Sequence, residues 1–123
     1  MNNVASWFEI PVTDKQRAKT FYQNILQANF KDEEANGYQM AIFVAEGPVV
    51  SGMLMLGPYY QPSQTGAVIY LNGGDDLNVP LQKVVEQDGN IILPKTPIHE
   101  GECGYFALFI DSEGNRVGLF SKA

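Results

Sequence analysis

Five residues hold most of the chemistry this sequence could perform. In "TPIHEGECG", residues 96–104, His99, Glu100, Glu102 and Cys103 fall within five positions. An imidazole beside a carboxylate can move a proton, and a thiol can act as a nucleophile, if the fold brings them within hydrogen-bonding reach of a substrate. The same composition is ordinary for a solvated loop, and the two glutamates beside Cys103 would blunt its reactivity. A lid over a neighbouring cleft is the other role such a loop can take. The fifth residue is Glu9, inside the apolar run "WFEIPV". A carboxylate there costs free energy if buried alone, so it needs a partner: Arg17, Arg116, a backbone amide or a ligand. Glu9 and His99 are the two candidates for acid–base work.

Two other stretches imitate functional loops. "GGDD" at 73–76 precedes a helical pattern, but it lacks the spacing and lysine of a phosphate loop, and Asp75 and Asp76 would repel an anion. It reads as a turn with a helix cap. "DSEGN" at 111–115 is too short for a calcium loop and reads as a strand-to-strand turn.

The elements that must position these residues come in two similar sets. "ASWFEIPV" alternates as a strand does, placing Phe8 and Ile10 on one side and Trp7 and Glu9 on the other. Thr13 or Asp14 can cap the helix that follows, whose Ala18, Phe21, Tyr22, Ile25 and Leu26 recur at helical spacing. "KDEEANG" reads as a polar break, with strands "YQMAIFVA" and "VVSGMLML" after it on either side of a turn at "EGP". "GPYYQPSQTG" reads as a connection. The order then repeats: strand "AVIYLN", helix "LNVPLQKVVEQDG" with Pro80 tolerable only in its first turn, strand "NIILPK", strand "GYFALFI" and strand "RVGLFS". "GYQMAIFVAEG" at 37–47 and "GYFALFIDSEG" at 104–114 share their ends at the same spacing, as a duplication would leave them. The expected architecture is one α+β domain over 1–123. Its first βαβββ module covers about 4–57, the connection about 58–66 and the second module about 67–121. A ferredoxin-like order is the competing arrangement.

Composition limits the function classes. The 123 residues carry 8 Lys and Arg against 14 Asp and Glu, a net charge of -6, with the basic residues scattered. Nucleic acid and anionic membranes are therefore not expected partners. Cys103 is the sole cysteine and cannot form an internal disulfide, no apolar run approaches a membrane span, and "MNNVASWFEIPVTD" lacks the pattern of a signal peptide. The cytoplasm is the expected compartment.

"WFEIPVTDKQRAKTFYQNIL" and "GYFALFIDSEGNRVGLFS" resemble the opening and closing signatures of the vicinal oxygen chelate superfamily, which includes glyoxalase I, extradiol dioxygenases, fosfomycin-inactivating enzymes and bleomycin-binding proteins. The resemblance implies a glyoxalase/bleomycin resistance/dioxygenase-like fold, with two βαβββ modules forming a cupped mixed sheet, commonly completed in a homodimer. It also implies a divalent metal held by His and Glu at four positions. Those positions fall here on Trp7, on Ser51 through the internal repeat, near Val68 or Tyr70, and on Gly118. These residue types do not converge lone pairs on a cation, so no metal site and no cofactor are expected.

By strand parity, the cleft that the resemblance implies is lined by Trp7, Glu9, Ser51, Met53, Met55, Tyr70 and Phe120. Such a lining suits a flat or partly apolar small molecule, with a cationic group against Glu9 or an aromatic face. The same large residues also serve as plain packing. Three functions follow: a metal-free protein binding a small organic molecule in the cleft; a glyoxalase- or dioxygenase-type enzyme holding metal through Glu9, His99 and Glu102; or a non-catalytic dimeric accessory module whose cleft is closed by its own side chains.

Overall fold

The computed structural model describes residues 3–123. Strand β1, Phe8–Pro11, buries Ile10 and leads into helix α1, Lys15–Leu26. Asp14 caps that helix by accepting the Arg17 amide at 3.0 Å, and the stripe Ala18, Phe21, Tyr22 and Ile25 is buried as its spacing predicts. β2, Phe30–Ala35, and β3, Tyr38–Phe43, are joined by Asn36 and Gly37, both at positive φ, the backbone of a two-residue hairpin turn. β4, Gly52–Leu56, completes a sheet of order β1-β4-β3-β2, parallel only between β1 and β4.

The order then recurs. β5 is Tyr70–Asn72, α2 is Asn78–Glu86, β6 is Asn90–Pro97, β7 is Tyr105–Ile110 and β8 is Arg116–Ser121, giving a second sheet β5-β8-β7-β6 with β5 parallel to β8. Pro80 is the third residue of α2, inside its first turn, and the Asp76 carboxylate accepts the Asn78 amide at 2.9 Å. Two separate four-stranded sheets exclude the ferredoxin-like arrangement.

Most elements are shorter than the sequence reading, β4 beginning at Gly52 and β3 ending at Phe43, and three differ in kind or place. Most of the supposed break "KDEEANG" is strand β2, whose residues after Phe30 are all exposed. It is an outer strand paired on one side only, so its side chains need no apolar alternation, and charge there is tolerated. β5 begins at Tyr70 instead of Ala67, and β6 runs on through Thr96 and Pro97 into the supposed loop. A single 3-10 turn, His99–Gly101, follows β6.

The core is shared by both halves. In the first sheet Ile10, Leu54 and Ala41 lie side by side across three strands; in the second Leu71, Leu119 and Ala107 do the same, and all six are buried. The two helices pack against one another, and Phe21 of α1 meets Phe109 of β7 at 6.0 Å between ring centroids. Because Ala41 and Ala107 are structural equivalents, the Gly-Tyr echo is one residue out of phase with the structural repeat. Tyr38 faces away from the core, whereas Tyr105 packs onto it. The duplication is present in the architecture, but matching letters do not mark matching places.

The turn "DSEGN" grips the first half. Buried Asp111 accepts the Tyr22 hydroxyl at 2.6 Å together with the amides of Glu113 and Asn115, and Asn115 donates its side-chain amide to the Pro11 carbonyl at 2.7 Å. Glu113 accepts the amides of Thr13 and Asp14, both at 2.8 Å, and pairs with Arg17 at 2.7 Å. Burial pushes Glu113 upward, but Arg17, these amides and the Ser112 hydroxyl outweigh it and hold the carboxyl at about 2. Burial raises Asp111 against the pull of its hydrogen bonds, and burial first, then Asp111, raises Tyr22. Among the described residues no helix is long and apolar enough to cross a membrane.

Candidate functional site

The sheet faces turned away from the core carry the candidate residues. β1 and β4 run in register with Glu9 opposite Met53 and Pro11 opposite Met55, and Met40 of β3 lies beside Met55. Strand alternation therefore places Glu9, Met53, Met55, Met40 and Tyr38 on one face, because Ile10, Leu54 and Ala41 occupy the other. Trp7 precedes β1 and is 46% exposed. Ser51 precedes β4 and donates its hydroxyl to the Phe43 carbonyl at 2.9 Å.

Glu9 has found a partner the sequence did not suggest. Its Oε1 accepts the Tyr60 hydroxyl at 2.7 Å. Arg17 is occupied by Glu113, and Arg116 donates to the Gly66 carbonyl at 2.6 Å, so neither arginine neutralises Glu9. The hydrogen bond to Glu9 is the main cause of a raised Tyr60 pKa. Tyr60 in turn meets Tyr38 edge to face, with ring centroids 6.1 Å apart. Tyr38, Met40, Met55, Tyr59 and Tyr60 line a hollow of about 580 Å³.

The second sheet offers a different surface. Tyr70 stands opposite Gly118, Phe120 opposite both Phe106 and Asn72, and Tyr70 meets Phe106 at 6.3 Å. Tyr70, Ile98, Phe106 and Phe120 line a hollow of about 340 Å³. A side chain on Gly118 would overlap the ring of Tyr70, so glycine there is what lets the ring lie flat on the sheet. The two hollows share no lining residue. Met55 thus belongs to one hollow and Tyr70 and Phe120 to another, while Glu9, reached from the first through Tyr60, lines a third beside Arg116.

His99 and Glu100 lie exposed on the 3-10 turn, both with positive φ, and Glu102 and Cys103 are exposed after it. Among the described residues no three His, Cys, Asp or Glu side chains gather as a metal site would require, and the grouping of Glu9 with His99 and Glu102 does not form. The four positions implied for a metal do not fit one. Ser51 gives its proton to a carbonyl, Tyr70 covers Gly118, and Trp7 offers no lone pair. The pairing also corrects the expected equivalence of Gly118 with Ser51. Gly118 sits beside the core pair Leu71–Leu119 as Met53 sits beside Ile10–Leu54, so Met53 is its counterpart. A thioether is no better a ligand for a hard cation.

Sequence reasoning missed Tyr38, Met40, Tyr60, Phe106 and Ile98. Tyr38 and Met40 share a parity that β3 alone would have revealed. Tyr60 lay in the connection, where two adjacent tyrosines among Gly and Pro were the available signal.

Comparison with known proteins agrees with this architecture. The model of the Glyoxalase/Bleomycin resistance protein/Dioxygenase superfamily matches residues 4–119. The chain belongs to this superfamily. A glyoxylase/bleomycin resistance protein/dioxygenase domain from Frankia sp. EAN1pec superposes with a TM-score of 0.74 at 13% identity, covering 98% of both chains. TnmS3, an antibiotic binding protein from Streptomyces sp. CB03234, gives a TM-score of 0.69 at 22% identity over 100% of this chain and 99% of that one. A glyoxalase I mutant from Zea mays gives 0.75 at 17% identity, over 96% of this chain but 45% of that one. No curated protein matches the sequence. At these identities the superfamily member shares a fold with its relatives, and its activity has to be read from its own residues.

Proposed function

We propose that the protein binds a small, partly apolar organic molecule on the open faces of its sheets, without a metal, as a homodimer. The observation that carries this reading is the surface itself. Tyr70 and Phe120 remain 48% and 36% exposed in the lining of a hollow of about 340 Å³, and Trp7 is 46% exposed, which is apolar surface left for an occupant. The misfit of Trp7, Ser51 and Gly118 to a metal argues for binding over metal-assisted chemistry, and similarity to an antibiotic-binding protein supports the same choice. The test is native mass spectrometry of purified protein paired with elemental analysis. A dimer carrying an organic adduct and no stoichiometric metal is expected. Near-stoichiometric transition metal, abolished by Glu9→Gln or His99→Ala, would replace this reading with the enzymatic one.

A further inference from the structure

The hollow on the first sheet has features that plain packing does not require. Tyr59 is 97% exposed, yet its backbone sits at φ 72, a left-handed conformation that costs a bulky residue about 1 kcal/mol or more. Glycine would relieve that cost, and an exposed ring returns little burial in exchange. The same turn, held by the Tyr60 amide on the Gly57 carbonyl at 3.3 Å, delivers Tyr60 to Glu9. Around the opening stand three phenol rings, two thioethers and, behind Tyr60, a carboxylate with no cation within 4.0 Å among the described residues.

Each group favours the same occupant. Aromatic faces are negative and attract an organic cation within about 6 Å of the ring centre. A hydroxyl that donates to a carboxylate makes its own ring more electron-rich. Methionine sulfur is polarisable and adapts to a bulky alkyl group. A hard metal ion would find too few oxygen ligands, and an anion would find no cationic side chain in the lining.

We propose that this hollow holds the positively charged end of the ligand, a substituted ammonium carried on an apolar or aromatic body. This rests on the small-molecule reading above and names the class of molecule that such a site selects. Tyr59 is then held in its strained, exposed conformation because it forms one wall of a cage for that ammonium.

The experiment is a calorimetric and NMR titration of the full chain with benzyltrimethylammonium, benzyl alcohol and phenylacetate at low salt. The cation should bind about tenfold tighter than the alcohol, the size of one partly desolvated cation–aromatic contact, and shift the methyl signals of Met40 and Met55. Phenylacetate should bind most weakly. Glu9→Gln should cut the cation's advantage over the alcohol several-fold, the three rings keeping the remainder. Tyr59→Gly should weaken the cation several-fold while raising the melting temperature, an opposition that a merely structural tyrosine would not produce. Equal binding of cation and alcohol to the unaltered protein, or a preference undiminished in Glu9→Gln, would overturn the charge inference and leave the small-molecule reading standing. Failure of all three probes to bind would remove both.

Discussion

The two halves of the molecule use one device on opposite sides. Each sets an aromatic residue on its leading strand against a glycine on the parallel neighbour, Phe8 over Gly52 and Tyr70 over Gly118. In the first half the ring points to the core and packs with Phe43 at 5.7 Å; in the second it lies on the open face and remains half exposed. One residue of phase in a strand exchanges its faces, so a repeated unit can turn a packing contact into an exposed aromatic surface without changing its fold. The first half's open face was left to the methionines and Glu9, and the second half's to aromatic rings without charge.

The largest effect is expected where the halves are joined. Asp111→Ala would leave the Tyr22 hydroxyl buried without an acceptor and release the turn, costing about 3 kcal/mol. Scanning calorimetry would show it as a lowered melting temperature, and a broader transition would mark the two halves separating. Gly52→Ala should cost about 2 kcal/mol, since the new methyl meets both the Phe8 ring and its carbonyl oxygen. Gly118→Ala meets only the Tyr70 ring, which can swing into solvent, so its cost should stay below about 1 kcal/mol in denaturant unfolding. Equal costs at the two glycines would break the comparison.

Acid sharpens it further. Glu113 is held at about 2, below its ordinary 4.5, so its stabilising ionised form is complete above about 4.5 and is lost as the pH falls toward 2. Asp111 is raised, so it acts in the opposite sense: the stability that its protonated form lends is present below the usual carboxylate range and is lost as the pH rises through its folded value. Urea midpoints measured between pH 2 and 7 should therefore lose much of their acid slope in Glu113→Gln. The smallest effect is expected for Tyr60→Phe, which removes one part-buried hydrogen bond and should show only as a slight shift of the urea midpoint.

How much of this was legible depended on how local each signal was. The stripe on α1, the place of Pro80 and the final strand Arg116–Ser121 follow from periodicity, and the structure has them as read. β2 escaped because an outer strand has no buried alternation to display. The faces carrying Glu9, Met53 and Met55 follow parity in the register of β1 and β4, but strand parity says nothing about which sheets adjoin, and Met55 lines a different hollow from Tyr70 and Phe120. The Tyr60–Glu9 bond spans 51 positions and leaves no local trace.

The grip of residues 111–115 on the first half also bears on how the chain is made. α1 has its own cap in Asp14, but the amides of Thr13 and Asp14, the hydroxyl of Tyr22 and the carbonyl of Pro11 are all met by groups about a hundred residues downstream. A nascent chain leaving the ribosome can pair β3 with β4 early, but it holds these groups open until the last hairpin emerges. Latching of α1 therefore waits for residues 111–115, and a chain stalled before residue 111 would present an unlatched helix to the chaperones and proteases around it.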